Sequence, residues 1–114
     1  MKISYSELDN NINLIKLSGE LDMIGTGEIE TKFVGYCAGE KVRVVVDLSE
    51  VTFLASIGIR LLILTAKSLA TRGGKMVLLN PTPDVYNVLD MTGVPEIIPI
   101  HSTFESAEAV LIAA

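Results

Sequence analysis

The chain has 114 residues, 49% of them hydrophobic, and a formal charge of −5. That length suits one domain whose core holds without disulfides or metals, and the apolar content excludes a disordered chain. The acidic balance argues against a nucleic-acid footprint, which needs clustered Lys and Arg.

Residues 2 to 8 alternate in strand fashion. Asp9-Asn10-Asn11 reads as a turn and Ile12 to Ser18 as a second strand, so a hairpin opens the fold. Gly19-Glu20-Leu21-Asp22 closes that strand. From about Met23 to Tyr36, Ile29, Phe33, Val34 and Cys37 recur at helical spacing, with Gly39 beyond the end. Gly25 and Gly27 weaken the start of this helix, each by about 1 kcal/mol relative to alanine in a helix interior.

Val42 to Leu48 is a β-branched run with almost no polar residue, as expected of a strand buried on both faces. A loop follows, then a helix from about Ser56 to Thr71 that Arg72-Gly73-Gly74 terminates. Lys75 to Leu79 is another buried strand. Thr82 caps a short helix with Pro83 at its first position, running to about Met91 and Gly93. Ile97 to Ile100 reads as a short strand, placed at an edge by Pro99. Ser102 or Thr103 then caps a last helix with Phe104, Ala107, Val110 and Leu111 on its apolar side. The order ββαβαβαβα implies a single α/β domain: a mixed sheet with an antiparallel N-terminal hairpin, parallel pairs joined by right-handed crossovers, and about four helices.

The helix after Ser56 carries two apolar stripes. Ile59, Leu62, Ile63, Ala66, Leu69 and Ala70 form the face expected to lie on a sheet. At ~100° per residue, Ile57, Leu61 and Leu64 share the opposite face, which is expected to be wet and therefore a partner surface. Ser56 itself falls at the N-cap or first turn. Capping accounts for a serine there, stabilising a helix by about 0.5–2 kcal/mol over alanine. A phosphate on the same hydroxyl would also meet free backbone amides and the positive end of the helix dipole, with Arg60 one turn on.

Val46-Asp47-Leu48-Ser49-Glu50-Val51-Thr52-Phe53-Leu54-Ala55-Ser56-Ile57-Gly58 resembles the signature of the STAS domain in bacterial anti-sigma factor antagonists, whose usual form is Asp-Leu-Ser-x-Val-x-Phe-Met-Asp-Ser-Ser-Gly-Leu. Gly19-Glu20-Leu21-Asp22, Gly73-Gly74-Lys75-Met76 and Leu89-Asp90-Met91-Thr92-Gly93-Val94 are similar to further segments of that family, in the same order, so the resemblance covers nearly the whole chain. It implies a partner-switching protein. The serine matching Ser56 is phosphorylated by a partner that is both an anti-sigma factor and an ATP-dependent serine kinase. Phosphorylation blocks binding, a serine phosphatase restores it, and the antagonist catalyses nothing. The resemblance also puts Asp22 close to that serine, helping to engage the kinase. The implied partner surface comprises Asp22, the turn Ala55, Ile57 and Gly58, and Arg60, Leu61 and Leu64. Three positions depart from the pattern: Ala55 replaces an Asp, Ile57 replaces a Ser or Thr, and Arg60 stands where a small Gly is common. Those departures leave a second expectation, an unphosphorylated STAS scaffold or sensor subunit that assembles with like domains.

Other chemistry is thinly represented. Asp47 closes a strand without the acidic pair and lysine of a phospho-accepting receiver site. A Ser-His-Asp site would require Ser56, His101 and Asp47 or Asp22 to converge, and the first glycine of a nucleophile elbow is missing. Gly25-Thr26-Gly27 lacks the lysine of a P-loop. The lone Cys37 reads as a core residue. Neither metal nor cofactor is expected. No apolar run approaches the ~20 residues that cross a bilayer, and no secretory pattern opens the chain, so a cytoplasmic, reduced protein without membrane contact is expected, its oligomeric state open.

Overall fold

A computed structural model describes residues 1–113. Five strands form one sheet in the order β1-β2-β3-β4-β5: β1 (Lys2–Leu8), β2 (Ile12–Leu21), β3 (Arg43–Leu54), β4 (Lys75–Leu79) and β5 (Ile100–His101). β1 and β2 pair antiparallel, and the other three pairings are parallel. The helices are α1 (Met23–Tyr36), α2 (Ser56–Thr71), α3 (Pro83–Met91) and α4 (Phe104–Ala113). The mixed α/β architecture expected from the sequence is therefore present.

The run Val44-Val45-Val46 explains the layering. Val44, Val46 and Leu48 face a large cluster with Ile29 and Phe33 of α1, Leu62 and Leu69 of α2, and Val85 and Leu89 of α3. Val45 points the other way, joining Ile12 and Val77 beneath Ala107 and Leu111 of α4. Successive strand residues alternate faces. Three helices cover one side of β3 and one helix the other, so a continuous apolar run is what this strand requires.

Three boundaries differ from expectation. β3 does not end at Leu48 but continues to Leu54, and β2 continues to Leu21 beside it. Two register shifts, between Lys16 and Ser18 and between Gly19 and Glu20, let the polar stretch Ser49–Thr52 remain in the ladder while Val51 and Leu54 stay buried. Such bulges break the alternation by which a strand is read in sequence. Near the C-terminus, Val94–Glu96 forms a 3-10 turn and the strand begins at Ile100 rather than Ile97. Pro99 precedes it, and its carbonyl accepts from Leu78 N–H.

Candidate functional site

The carboxyl ends of β2 and β3 meet in a double corner. Leu21 and Leu54 are register partners, and just beyond them Ala55 N–H donates to Leu21 O at 3.0 Å. Asp22 and Ser56 are thus each the next residue along from one shared hydrogen bond. Asp22 caps α1, its Oδ1 accepting from Gly25 N–H at 2.7 Å. Gly25, which weakens a helix in principle, is required here, because a Cβ at that position would stand 1.9 Å from Glu20 O. Gly58 is similarly pressed against Leu21, where a Cβ would lie 3.0 Å from its carbonyl oxygen. These two glycines let α1 and α2 start flush against the end of β2.

Ser56 is not the N-cap of α2. Ala55 occupies that position, in extended conformation and with no side-chain capping bond. Ser56 is the exposed first residue of the helix. Gly58 and Ile59 N–H both donate to Ala55 O, leaving the Ser56 and Ile57 amides outside the helical ladder at its positive end. The hydroxyl is free of structural duty, accessible, and flanked by donors that suit an anion.

The second stripe of α2 is only partly wet. Ile57 and Leu64 are exposed, Leu64 at 54%, but Leu61 is buried at 8% and belongs to the main core. This corrects the expectation that all three face solvent. α1 packs beside α2 on the same side of the sheet and covers Leu61. Between the two helices lies an open groove of ≈ 290 Å³ lined by Thr26, Glu30, Ile57, Arg60, Leu61 and Leu64. The Thr26 hydroxyl is buried and has no hydrogen-bond partner among the described residues.

Three exposed residues at the corner escaped the sequence reading. Met23 (75%) and Ile24 (74%) directly follow Asp22, and Phe53 (51%) lies three residues before Ser56 at the end of β3. A signal existed: Ile29 and Phe33 set the buried phase of α1, and Met23 and Ile24 lie outside it. Large apolar side chains grouped at a corner mark an interaction surface.

The remaining candidates are engaged elsewhere. Asp47 accepts from Ser49 N–H at 2.9 Å, closing its own turn. His101 lies on β5 with its Nδ1 against the Ser106 hydroxyl, two strands away from β3. Cys37 is buried, which pushes its thiol from an ordinary 9.0 up to about 12 despite the opposing effect of Arg72. Among the described residues no group of His, Cys, Asp and Glu is arranged to hold a metal ion, and no helix is long and apolar enough to cross a membrane.

Residues 6–107 match the family model for the STAS domain. The chain is 28% identical to BtrV of Bordetella bronchiseptica, named as a candidate anti-sigma factor antagonist, over 96% of this chain and 93% of that protein. Its fold is similar to an anti-sigma factor antagonist from Mycobacterium paratuberculosis, with TM-score 0.87, 24% identity and coverage of 97% and 93%. It is also similar to the anti-sigma factor antagonist SpoIIAA in its unphosphorylated form, with TM-score 0.79, 23% identity and coverage of 99% and 98%. The Bacillus SpoIIAA structure in the phosphorylated form matches with TM-score 0.66, at 23% identity and coverage of 96% and 99%.

Proposed function

Because this chain belongs to the STAS domain family, we propose that it is an anti-sigma factor antagonist, switched by phosphorylation of Ser56. The observation that carries this reading is the position of Ser56: exposed, first in α2, free of any capping bond, one residue beyond the hydrogen bond that ties its corner to the Asp22 corner, with exposed Met23, Ile24, Phe53 and Ile57 on those two corners. In the unmodified state those side chains bury against an anti-sigma factor that is also a serine kinase, and the occupied anti-sigma factor releases its sigma factor. The kinase transfers the γ-phosphoryl group of ATP to the Ser56 oxygen and releases ADP. The added charge of about −1.5 to −2 is tolerated within this chain, because it meets the free Ser56 and Ile57 amides and the Arg60 guanidinium one turn on. Against an apolar partner surface the same charge must be desolvated, so the complex separates. A serine phosphatase resets the switch. This chain supplies the accepting hydroxyl and the surface, and no catalytic group.

The test is to mix the protein with each serine kinase of the anti-sigma factor class encoded in its genome, add Mg-ATP, and locate phosphate by mass spectrometry. Phosphate at Ser56, lost in Ser56→Ala, is the expected result. Absence of phosphate with every such kinase overturns the switch. It would favour the second reading, assembly with like domains, for which the apolar Ile57 in place of a hydroxyl is the supporting feature.

A further inference from the structure

The opposite end of the sheet, where β3 and β4 begin, holds a cavity of ≈ 390 Å³ lined by Asn11, Lys41, Arg43, Gly73, Gly74, Lys75 and Leu111. Three of the nine Lys and Arg residues of an acidic chain meet in this one hollow. The backbone forces them together. Gly74 lies so close to Val42 that a Cβ would stand 2.3 Å from Val42 O, and Lys75 N–H donates to that same carbonyl at 3.1 Å. Lys41 N–H in turn donates to Arg72 O at 2.8 Å. Arg43 and Lys75 are direct register partners in the parallel ladder, so two cations face each other across neighbouring strands. Like charges so placed destabilise a sheet.

Among the described residues no carboxylate forms an ion pair with any of these three cations: the two ion pairs are Met1 with Glu28 and Lys16 with Glu50. Arg43 gives one bond, from Nη1 to Asn10 O. Arg72 nearby is spent, donating to Gly39 O, Ser68 and Cys37 O. Glu7 and Glu40 line an adjoining cavity on the other side of Lys41, outside this one. The carbonyl end of α4, near Leu111, adds about half a negative charge against three positive ones.

A concave site lined by one sign of charge concentrates counter-ions, and Lys and Arg together are the usual holders of phosphoryl oxygens. We propose that this cavity binds a small, multiply charged phosphate anion of the pyrophosphate or polyphosphate class. Its volume is within the range of small-ligand sites, about 300–1,000 Å³. No aromatic side chain lines it, so a nucleobase finds no stacking surface and the phosphates are what is read.

The test is a titration of the full chain with sodium pyrophosphate at fixed ionic strength, followed by calorimetry and by 1H–15N spectra. Saturable one-to-one binding is expected, with shifts centred on Asn11, Lys41, Arg43 and Lys75. Affinity should fall at least tenfold in the double variant Lys41→Gln, Lys75→Gln, and several-fold in Lys41→Gln alone, whose exposed side chain carries little risk to folding. The thermal midpoint of the unliganded double variant should hold or rise, since a repulsion is removed. Non-saturating shifts, shifts centred elsewhere, or unchanged affinity in either variant overturns the site. Equal affinity for tripolyphosphate and a nucleoside triphosphate supports the assignment of class; markedly tighter nucleotide binding overturns it.

Discussion

Asp22 and Ser56 divide two roles that the sequence had run together. A serine at a strand-to-helix corner is the residue type expected to cap, yet the cap of α2 falls on Ala55, while Asp22 caps α1. The helix starts at Ser56 as expected, but six residues that read as loop belong to β3, so Ala55 alone stands between strand and helix and takes the cap position. Replacing Asp22 by alanine should lower stability by about 1 kcal/mol, measured by urea unfolding. Ser56→Ala should fall within about 0.5 kcal/mol of the parent, as for surface positions without a special role. A larger loss in Ser56→Ala would show that its hydroxyl supports the helix after all. Gly25 was legible only as an oddity inside a helix, because its necessity comes from the Glu20 carbonyl, a neighbour that periodicity cannot reveal.

At the scale of the element, α2 shows what periodicity can and cannot decide. Helical spacing places Leu61 and Leu64 on one side together, and that much holds. Whether a side is wet depends on the neighbour, and α1 covers Leu61 but not Leu64. The two leucines therefore separate under one substitution. Leu61→Glu buries a charge without a partner and should cost about 3 kcal/mol or more. Leu64→Glu should leave the denaturation midpoint nearly unchanged while weakening the proposed complex with an anti-sigma factor kinase at least tenfold. Equal destabilisation by both, in parallel chemical unfolding curves, would place Leu64 in the core and remove it from the partner surface. The short β5 was misplaced by three residues for a similar reason: Ile97-Ile98 looks like a strand, but Val94–Glu96 turns first and Ile98 is consumed by the core.

For the whole molecule, element order and alternation were enough to give the mixed sheet, since a doubly buried Val44-Val45-Val46 run leaves little choice but a central strand covered on both faces. Given the sheet order, right-handed crossovers put α1, α2 and α3 on one side, whereas α4 joins no two strands and its place on the other side was not legible from the element order. The global fold also carries a pH signature through Cys37. Its thiol is held protonated to about 12 by burial, whereas in the unfolded chain it ionises near its ordinary value. Between those values the unfolded state binds fewer protons than the native one, so stability falls as pH rises. The slope approaches about 1.4 kcal/mol per pH unit. The stability advantage of the parent over Cys37→Ala, followed from pH 8 to 11, should be largest below pH 9 and shrink steadily above it. Parallel curves would mean that the native thiol ionises freely.

The hydrogen bond from Ala55 to Leu21 has a consequence for protein engineering. The corner carrying Asp22 and the corner carrying Ser56 hang from one rung, and Gly25 and Gly58 close both against the same strand end. Neither can be moved to another scaffold alone. A graft of residues 53–60 into a different sheet would lose the carbonyl that fixes its entry angle, and a graft of residues 19–26 would lose the amide. The transferable module is the pair, two discontinuous segments inherited together, and recombination between related proteins should exchange them as one block.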